Sequence, residues 1–212
     1  MCGQMTLTAR LNRLLSQYAA ESRLDEWLSG DIRPTNDAAV IRISSQGRRE
    51  LVGLRWWLIP SWSKEPKTKF ATFNARSETI ADLASFKAAF KTRRCLVIAD
   101  GWYEWKVVGG TPKKPVKQKH LMRMPDGEPF AMAGLWERWQ GNGLVIDSCT
   151  IATTSATPEL AEIHDRMPVI LPPEDHDLWL DPEFQGRDKL LSLLRPYTRS
   201  VVSAECIVHS AE

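Results

Sequence analysis

The stretch Pro129-Phe130-Ala131-Met132-Ala133-Gly134-Leu135-Trp136-Glu137-Arg138-Trp139-Gln140-Gly141-Asn142-Gly143-Leu144-Val145-Ile146-Asp147-Ser148-Cys149-Thr150-Ile151-Ala152-Thr153-Thr154 decides the fold. Two β-rich runs, Pro129–Trp139 and Leu144–Thr154, flank Gln140-Gly141-Asn142-Gly143, the strongest hairpin turn in the chain. Asn-Gly accepts the positive φ angles that a tight turn between twisted strands demands. Working outward, further strands are expected at Ala38–Ile43, Glu50–Ile59, Cys95–Ala99, Gly101–Val108 and Pro168–Leu171, with Phe70–Asn74 extended. Helical spacing of apolar residues predicts helices at Thr8–Ala20, with Thr8 as its N-cap, and at Ile80–Phe90. Shorter helices are expected at Glu159–Ile163, Glu174–Leu180 and Arg187–Leu194. Short strands joined by hairpins, with few helices between them, predict an α+β fold. The expectation is a single domain over residues 1–212, built on a curved, mainly antiparallel sheet system with peripheral helices. A doubly wound parallel fold needs strands and helices in regular alternation, and that rhythm is absent.

Composition narrows the class. At 43% hydrophobic and 25% charged residues the chain reads as an ordinary globular protein. No apolar run approaches the roughly 20 residues that span a bilayer, so no membrane partner is expected. The start lacks a basic-then-apolar leader, which predicts a cytoplasmic protein. Cys2, Cys95, Cys149 and Cys206 form no CxxC pair, favouring reduced thiols over disulfides or a zinc site, and Cys95 and Cys149 read as core. A formal charge of +2 implies no nucleic-acid partner by itself. Locally, Arg93-Arg94 and the run Lys113-Lys114 to Lys117-Lys119 read as basic patches, the second as a solvated hairpin loop. Nine tryptophans serve equally well as base-stacking platforms or as core.

Four polar positions and one cysteine suggest chemistry. Cys2 follows the initiator in Met1-Cys2-Gly3-Gln4 and is small enough for Met1 to be removed. Its free α-amine and thiol, of ordinary pKa about 8 and 8.5, can then condense with an aldehyde and close a thiazolidine ring. Asn74 and Arg76, two residues apart on an extended chain, point to one side and can clamp a sugar and its phosphate. Alternatively, Asn74 caps a helix and Arg76 pairs with Glu78. Glu104, within Asp100-Gly101-Trp102-Tyr103-Glu104-Trp105, is either a carboxylate raised toward neutral pKa by apolar neighbours or the wet face of a half-exposed strand. His164, in Glu162-Ile163-His164-Asp165-Arg166-Met167-Pro168, is a general acid/base at a helix-to-strand junction or a structural histidine.

Met1-Cys2-Gly3, Arg55-Trp56-Trp57-Leu58-Ile59-Pro60-Ser61-Trp62, Asn74-Ala75-Arg76-Ser77-Glu78-Thr79, Arg94-Cys95-Leu96 through Trp105, Ala133-Gly134-Leu135-Trp136 and Ile163 through Val169 resemble, in order and spacing, the SOS response-associated peptidase (SRAP) family. The resemblance runs from Met1 to about Pro172. It implies binding to abasic sites in single-stranded DNA, or at its junction with a duplex, and a thiazolidine crosslink through Cys2. It implies no metal or organic cofactor, a monomer, and association with the nucleoid when DNA is bound. By the same resemblance Asn74 orients the sugar or the terminal amine, Arg76 holds a phosphate, and Glu104 and His164 move protons during ring opening, imine formation and reversal. Thr153 is implied as a backbone contact, and Trp62, with Pro34, as a wedge between bases.

The chain departs from the family pattern in places. Gln4 replaces a usual Arg, Trp57 a usual Gly, and Gly30-Asp31 a usual Tyr-Asn, which brings a negative charge toward DNA. Two other functions compete. One is a thiol hydrolase or self-processing peptidase with Cys2 as N-terminal nucleophile, which would turn over rather than keep its product. The other is a non-covalent single-strand binder that treats undamaged and abasic strands alike.

Overall fold

A computed structural model describes residues 2–198 and 203–207. The decisive hairpin forms: Asn142 (φ 52°) and Gly143 (φ 74°) both take the left-handed conformation. Strands Phe130–Gly141 and Leu144–Ser155 then run antiparallel from Gly141 opposite Leu144 to Gly134 opposite Ile151. Around them the larger sheet runs in the order Arg166–Pro168, Leu144–Ser155, Phe130–Gly141, Arg94–Ala99, Asp37–Ile43, Arg49–Trp56, Glu21–Ser22. Strand Leu144–Ser155 also pairs in parallel with Arg49–Trp56, which closes the sheet into a small barrel, and with Asn74–Arg76. The smaller sheet is antiparallel, in the order Ser203–Ile207, Lys114–Arg123, Gly101–Thr111, Met5–Leu7, Gly30–Ile32. The fold is therefore mostly sheet with peripheral helices, as expected.

Both sheets contribute to one core. Trp56, Trp102, Trp139 and Trp179 are fully buried there or beside it, and Trp27 and Trp136 pack partly buried against it, so six of the nine tryptophans serve packing. Truncating such an indole to alanine costs about 3–5 kcal/mol. Among the described residues, no helix is long and apolar enough to cross a membrane.

Several local expectations are corrected. The first helix is Leu11–Tyr18, and Thr8 does not cap it: its N–H and hydroxyl both donate to Asp100 Oδ2. A buried carboxylate outcompetes a helix end for that hydroxyl. Ile80–Phe90 is not a helix. Turns occupy that segment, with bonds such as Asp82 N–H to Thr79 O and Phe86 N–H to Leu83 O, and the helix is Lys87–Thr92. The extended segment begins later than expected, at Asn74–Arg76 rather than Phe70. The strand Arg49–Trp56 stops before Ile59. The lysine-rich run is no loop but the strand Lys114–Arg123, which forms a long two-stranded arm with Gly101–Thr111.

Arg93-Arg94 is not a surface patch. Arg93 pairs with Glu137 at 2.6 Å, and Arg94 is only 2% exposed. The Arg94 guanidinium donates to the carbonyls of Trp179 (2.6 Å), Phe90 (2.7 Å) and Phe184 (2.9 Å), as well as Asp181. These carbonyls at and beyond two helix ends have no intrahelical donor, and one planar fork supplies them together. Arg94→Leu is expected to lower unfolding free energy by about 3 kcal/mol, read from the denaturant midpoint, because it strands several buried acceptors.

Candidate functional site

Strand Met5–Leu7 lies between Gly30–Ile32 and Gly101–Thr111, with Met5 opposite both Ile32 and Trp102. That register carries the preceding residues alongside Tyr103 and Glu104: Tyr103 N–H donates to Gln4 O at 2.9 Å. Cys2 is 1% exposed, with Sγ 3.9 Å from Gln4 O. Strand Asn74–Arg76, held in parallel on Ile151–Thr153, brings Asn74 to the same place. Its Nδ2 donates to the Cys2 carbonyl at 2.7 Å, while its buried Oδ1 has no protein partner among the described residues. Asn74 thus caps no helix, and its amide holds the backbone of the cysteine.

Glu104 is 2% exposed, not the wet face of a strand. Burial raises its pKa to about 7, with the nearby Asp165 charge adding to the rise. His164 Nε2 lies 3.9 Å from Glu104 Oε2. His164 Nδ1 is approached both by Arg166 N–H (3.1 Å) and by Asp165 Oδ1 (2.9 Å), two contacts that ask for opposite protonation of one nitrogen. Burial holds the imidazole below its ordinary pKa, so the neutral ring accepts from Arg166 and turns Nε2–H toward Glu104. Burial pushes the Cys2 thiol well above its ordinary pKa, and the Glu104 charge adds to that.

A second layer supports this cluster. Arg166 donates twice to Glu78 (2.6 and 2.9 Å) and once to Thr153 O (2.6 Å), and Ser77 N–H also donates to Thr153 O (2.8 Å). These bonds hold the Glu78 carboxyl below its usual range. Thr153, expected as a backbone contact to DNA, is fully buried, and its carbonyl accepts from both donors. Glu78 is taken by Arg166, which leaves Arg76 exposed with no carboxylate partner among the described residues.

Glu104 and His164 open onto a cleft of about 550 Å³ that is also lined by Lys106 and Lys117 of the two-stranded arm. A separate cleft of about 430 Å³ is lined by Trp62, Phe70, Lys64, Lys67 and Lys69. Trp62 is 62% exposed and Phe70 73%. Phe70 escaped the sequence reading, where it passed for part of a strand. Pro34 sits half-buried in a turn whose next residue, Thr35, donates N–H to Trp56 O at 2.9 Å. Trp62 and Pro34 therefore stand on loops outside the Cys2 cluster. The unusual Trp57 tilts against Phe73, next to Asn74, with ring centroids 5.2 Å apart.

Comparison with known proteins matches this geometry to a family. The family model described as SOS response associated peptidase (SRAP) matches residues 1–210, well past the Pro172 limit of the sequence motifs. The abasic site processing protein YoqW of Bacillus subtilis is 37% identical over 205 residues, covering 93% of this chain and 88% of that protein. The abasic site processing protein HMCES of Gallus gallus is 30% identical, covering 92% of this chain and 70% of that protein. A crystal structure of a Bacteroides thetaiotaomicron protein superposes with a TM-score of 0.85 at 26% identity, over 98% of this chain and 92% of that one. A Bordetella bronchiseptica protein gives 0.83 at 28% identity, over 98% and 100%. With a family match over nearly its whole length and relatives at 30% and 37% identity across more than nine-tenths of it, this chain belongs to the SOS response associated peptidase family.

Proposed function

We propose that this protein captures abasic sites in single-stranded DNA, alone or at a junction with duplex, by a covalent crosslink through Cys2 after Met1 is removed. The observation that carries the reading is the convergence on Cys2. Asn74 fixes its carbonyl, and Glu104, with a pKa of about 7, is near enough for its charge to be felt by the thiol. The names of the bacterial and vertebrate relatives support the same substrate.

The chemistry follows from the protonation states. The Cys2 amine attacks the aldehyde carbon of the ring-opened deoxyribose to give a carbinolamine. Glu104 or His164 protonates the departing hydroxyl, water leaves and an imine forms. Sγ then attacks the imine carbon, its proton passes to the Glu104 carboxylate, and the imine nitrogen regains a proton as the thiazolidine closes. Aldehyde plus aminothiol gives thiazolidine plus one water, using groups of this chain and the DNA alone.

A thiol raised by burial holds little resident thiolate. That disfavours a hydrolase in which sulfur must attack first. It suits a sequence in which the amine attacks first and sulfur needs a base only at ring closure.

Intact-mass analysis of protein beginning at Cys2, mixed with abasic single-stranded DNA, should give one heat-stable adduct, lighter by one water than protein plus opened-site DNA. Undamaged DNA, and a tetrahydrofuran site that has no aldehyde, should give none. A processed protein without the adduct overturns the reading.

The exposed Arg76 is assigned to a phosphate, Trp62 and Pro34 to the wedge between bases, and the acting species to a monomer. Arg76→Ala is expected to weaken binding and to reduce the slope of log affinity against log salt by about 0.7, the release of one counterion from single-stranded DNA. A titration series between low and moderate salt measures it.

A further inference from the structure

We propose that Gln4, Asp31 and Tyr103 form a positioning unit that sets Cys2 against Glu104, with Asp31 joining the other two. The inference deepens the reading of Cys2 as the capturing nucleophile and rests on it. Gln4 is 3% exposed, and its side-chain Nε2 donates to Asp31 Oδ2 at 2.7 Å. The other oxygen, Asp31 Oδ1, accepts from the Tyr103 hydroxyl at 3.0 Å. Tyr103 N–H returns to Gln4 O at 2.9 Å, which closes a ring of bonds across three neighbouring strands. Lys119, one strand further, places Nζ 3.8 Å over the Tyr103 ring.

The ring touches both reactive groups through the backbone. Gln4 O, which takes the Tyr103 N–H, also accepts from the Cys2 thiol at 3.9 Å. Tyr103 immediately precedes Glu104, so whatever fixes its backbone fixes the carboxylate. Cys2 lies ahead of the first strand, where chain ends fray unless tied down, and this ring ties it. Asp31 is exposed, and a carboxylate beside a DNA-facing site repels phosphate. Its place there is explained by geometry rather than by binding.

That opposition yields the test. Asp31→Ala breaks two bonds of the ring and also removes the repulsion. Asp31→Asn removes only the charge: its oxygen accepts from Tyr103, and its amide donates to a flipped Gln4. Single-turnover capture at saturating abasic DNA is expected to slow about tenfold or more in Asp31→Ala, while affinity for undamaged strand rises. Asp31→Asn should keep capture near wild type and gain the affinity. Tyr103→Phe, which loses one bond, should fall between them and serves if Asp31→Ala does not fold.

Alkylation of Cys2 by iodoacetamide without DNA, read by peptide mass, is a second arm that does not depend on capture. It should quicken about fivefold or more in Asp31→Ala and stay unchanged in Asp31→Asn. Equal capture rates in the alanine and asparagine variants, or Cys2 alkylation unaltered by Asp31→Ala, overturn the positioning role. Loss of capture by the wild type would instead overturn the function, and the alkylation arm still decides the positioning.

Discussion

Cys2→Ala and Cys2→Ser are expected to abolish the heat-stable adduct with abasic single-stranded DNA while leaving the fold intact. Both replacements are small enough for Met1 to be removed, so each variant keeps a free α-amine in the same place. Each can still form an imine with the aldehyde. Alanine has nothing with which to close the ring, so the imine hydrolyses on heating. Serine offers a poorer nucleophile whose five-membered product opens more readily. Borohydride should therefore trap both variants on abasic DNA, whereas the wild type should need no trapping. Because Cys2 is buried among apolar neighbours, each change costs no more than about 1–2 kcal/mol, and a thermal melt should report a folded protein. An adduct from Cys2→Ala that survives heat without reductant would place the crosslink on another residue and defeat the mechanism.

How legible this site is in the sequence depends on the range of the forces involved. The Asn142-Gly143 hairpin is readable because two consecutive positive φ angles are a local demand that few residue pairs meet. The strand Lys114–Arg123 is not, because lysines and Pro115 hide a pairing that its partner Gly101–Thr111 supplies. Arg94 is misread for the opposite reason. Nothing local says that the orphaned carbonyls of two distant helix ends will converge on one guanidinium.

In the site, Cys2, Asn74, Glu104 and His164 are each modest alone, and the family resemblance is what unites them before any geometry. The structure brings Cys2, Asn74 and Glu104 together through the Gln4–Tyr103 and Asn74–Cys2 bonds, and His164 joins them 3.9 Å from Glu104. Thr153 is buried beside them. The Gln4–Asp31–Tyr103 ring could not be read at all, because its members lie 27 and 72 positions apart.

Glu104→Gln is expected to slow single-turnover capture by about 10²–10⁴-fold while making the protein more stable at alkaline pH. The two effects share one cause. Burial raises the folded-state pKa of Glu104 to about 7 from an ordinary 4.5, so the folded protein keeps a proton that the unfolded chain gives up. Stability from this group is fully present below about pH 4.5 and is lost as pH rises through about 7. At pH 8 the wild type holds a buried carboxylate and glutamine does not, so the variant should gain about 3 kcal/mol there and nothing near pH 4. Denaturant midpoints at those two values measure the difference. The capture rate has the opposite sign. In the wild type it should climb as pH passes about 7, because ring closure needs the ionised carboxylate to receive the thiol proton. In Glu104→Gln that limb should vanish, leaving only the limb of the Cys2 amine near 8. A variant that loses activity without gaining stability at pH 8 would mean that the Glu104 charge is compensated in the fold, and its role as the resident base would fail. A variant that gains stability and keeps its rate would assign the base to His164.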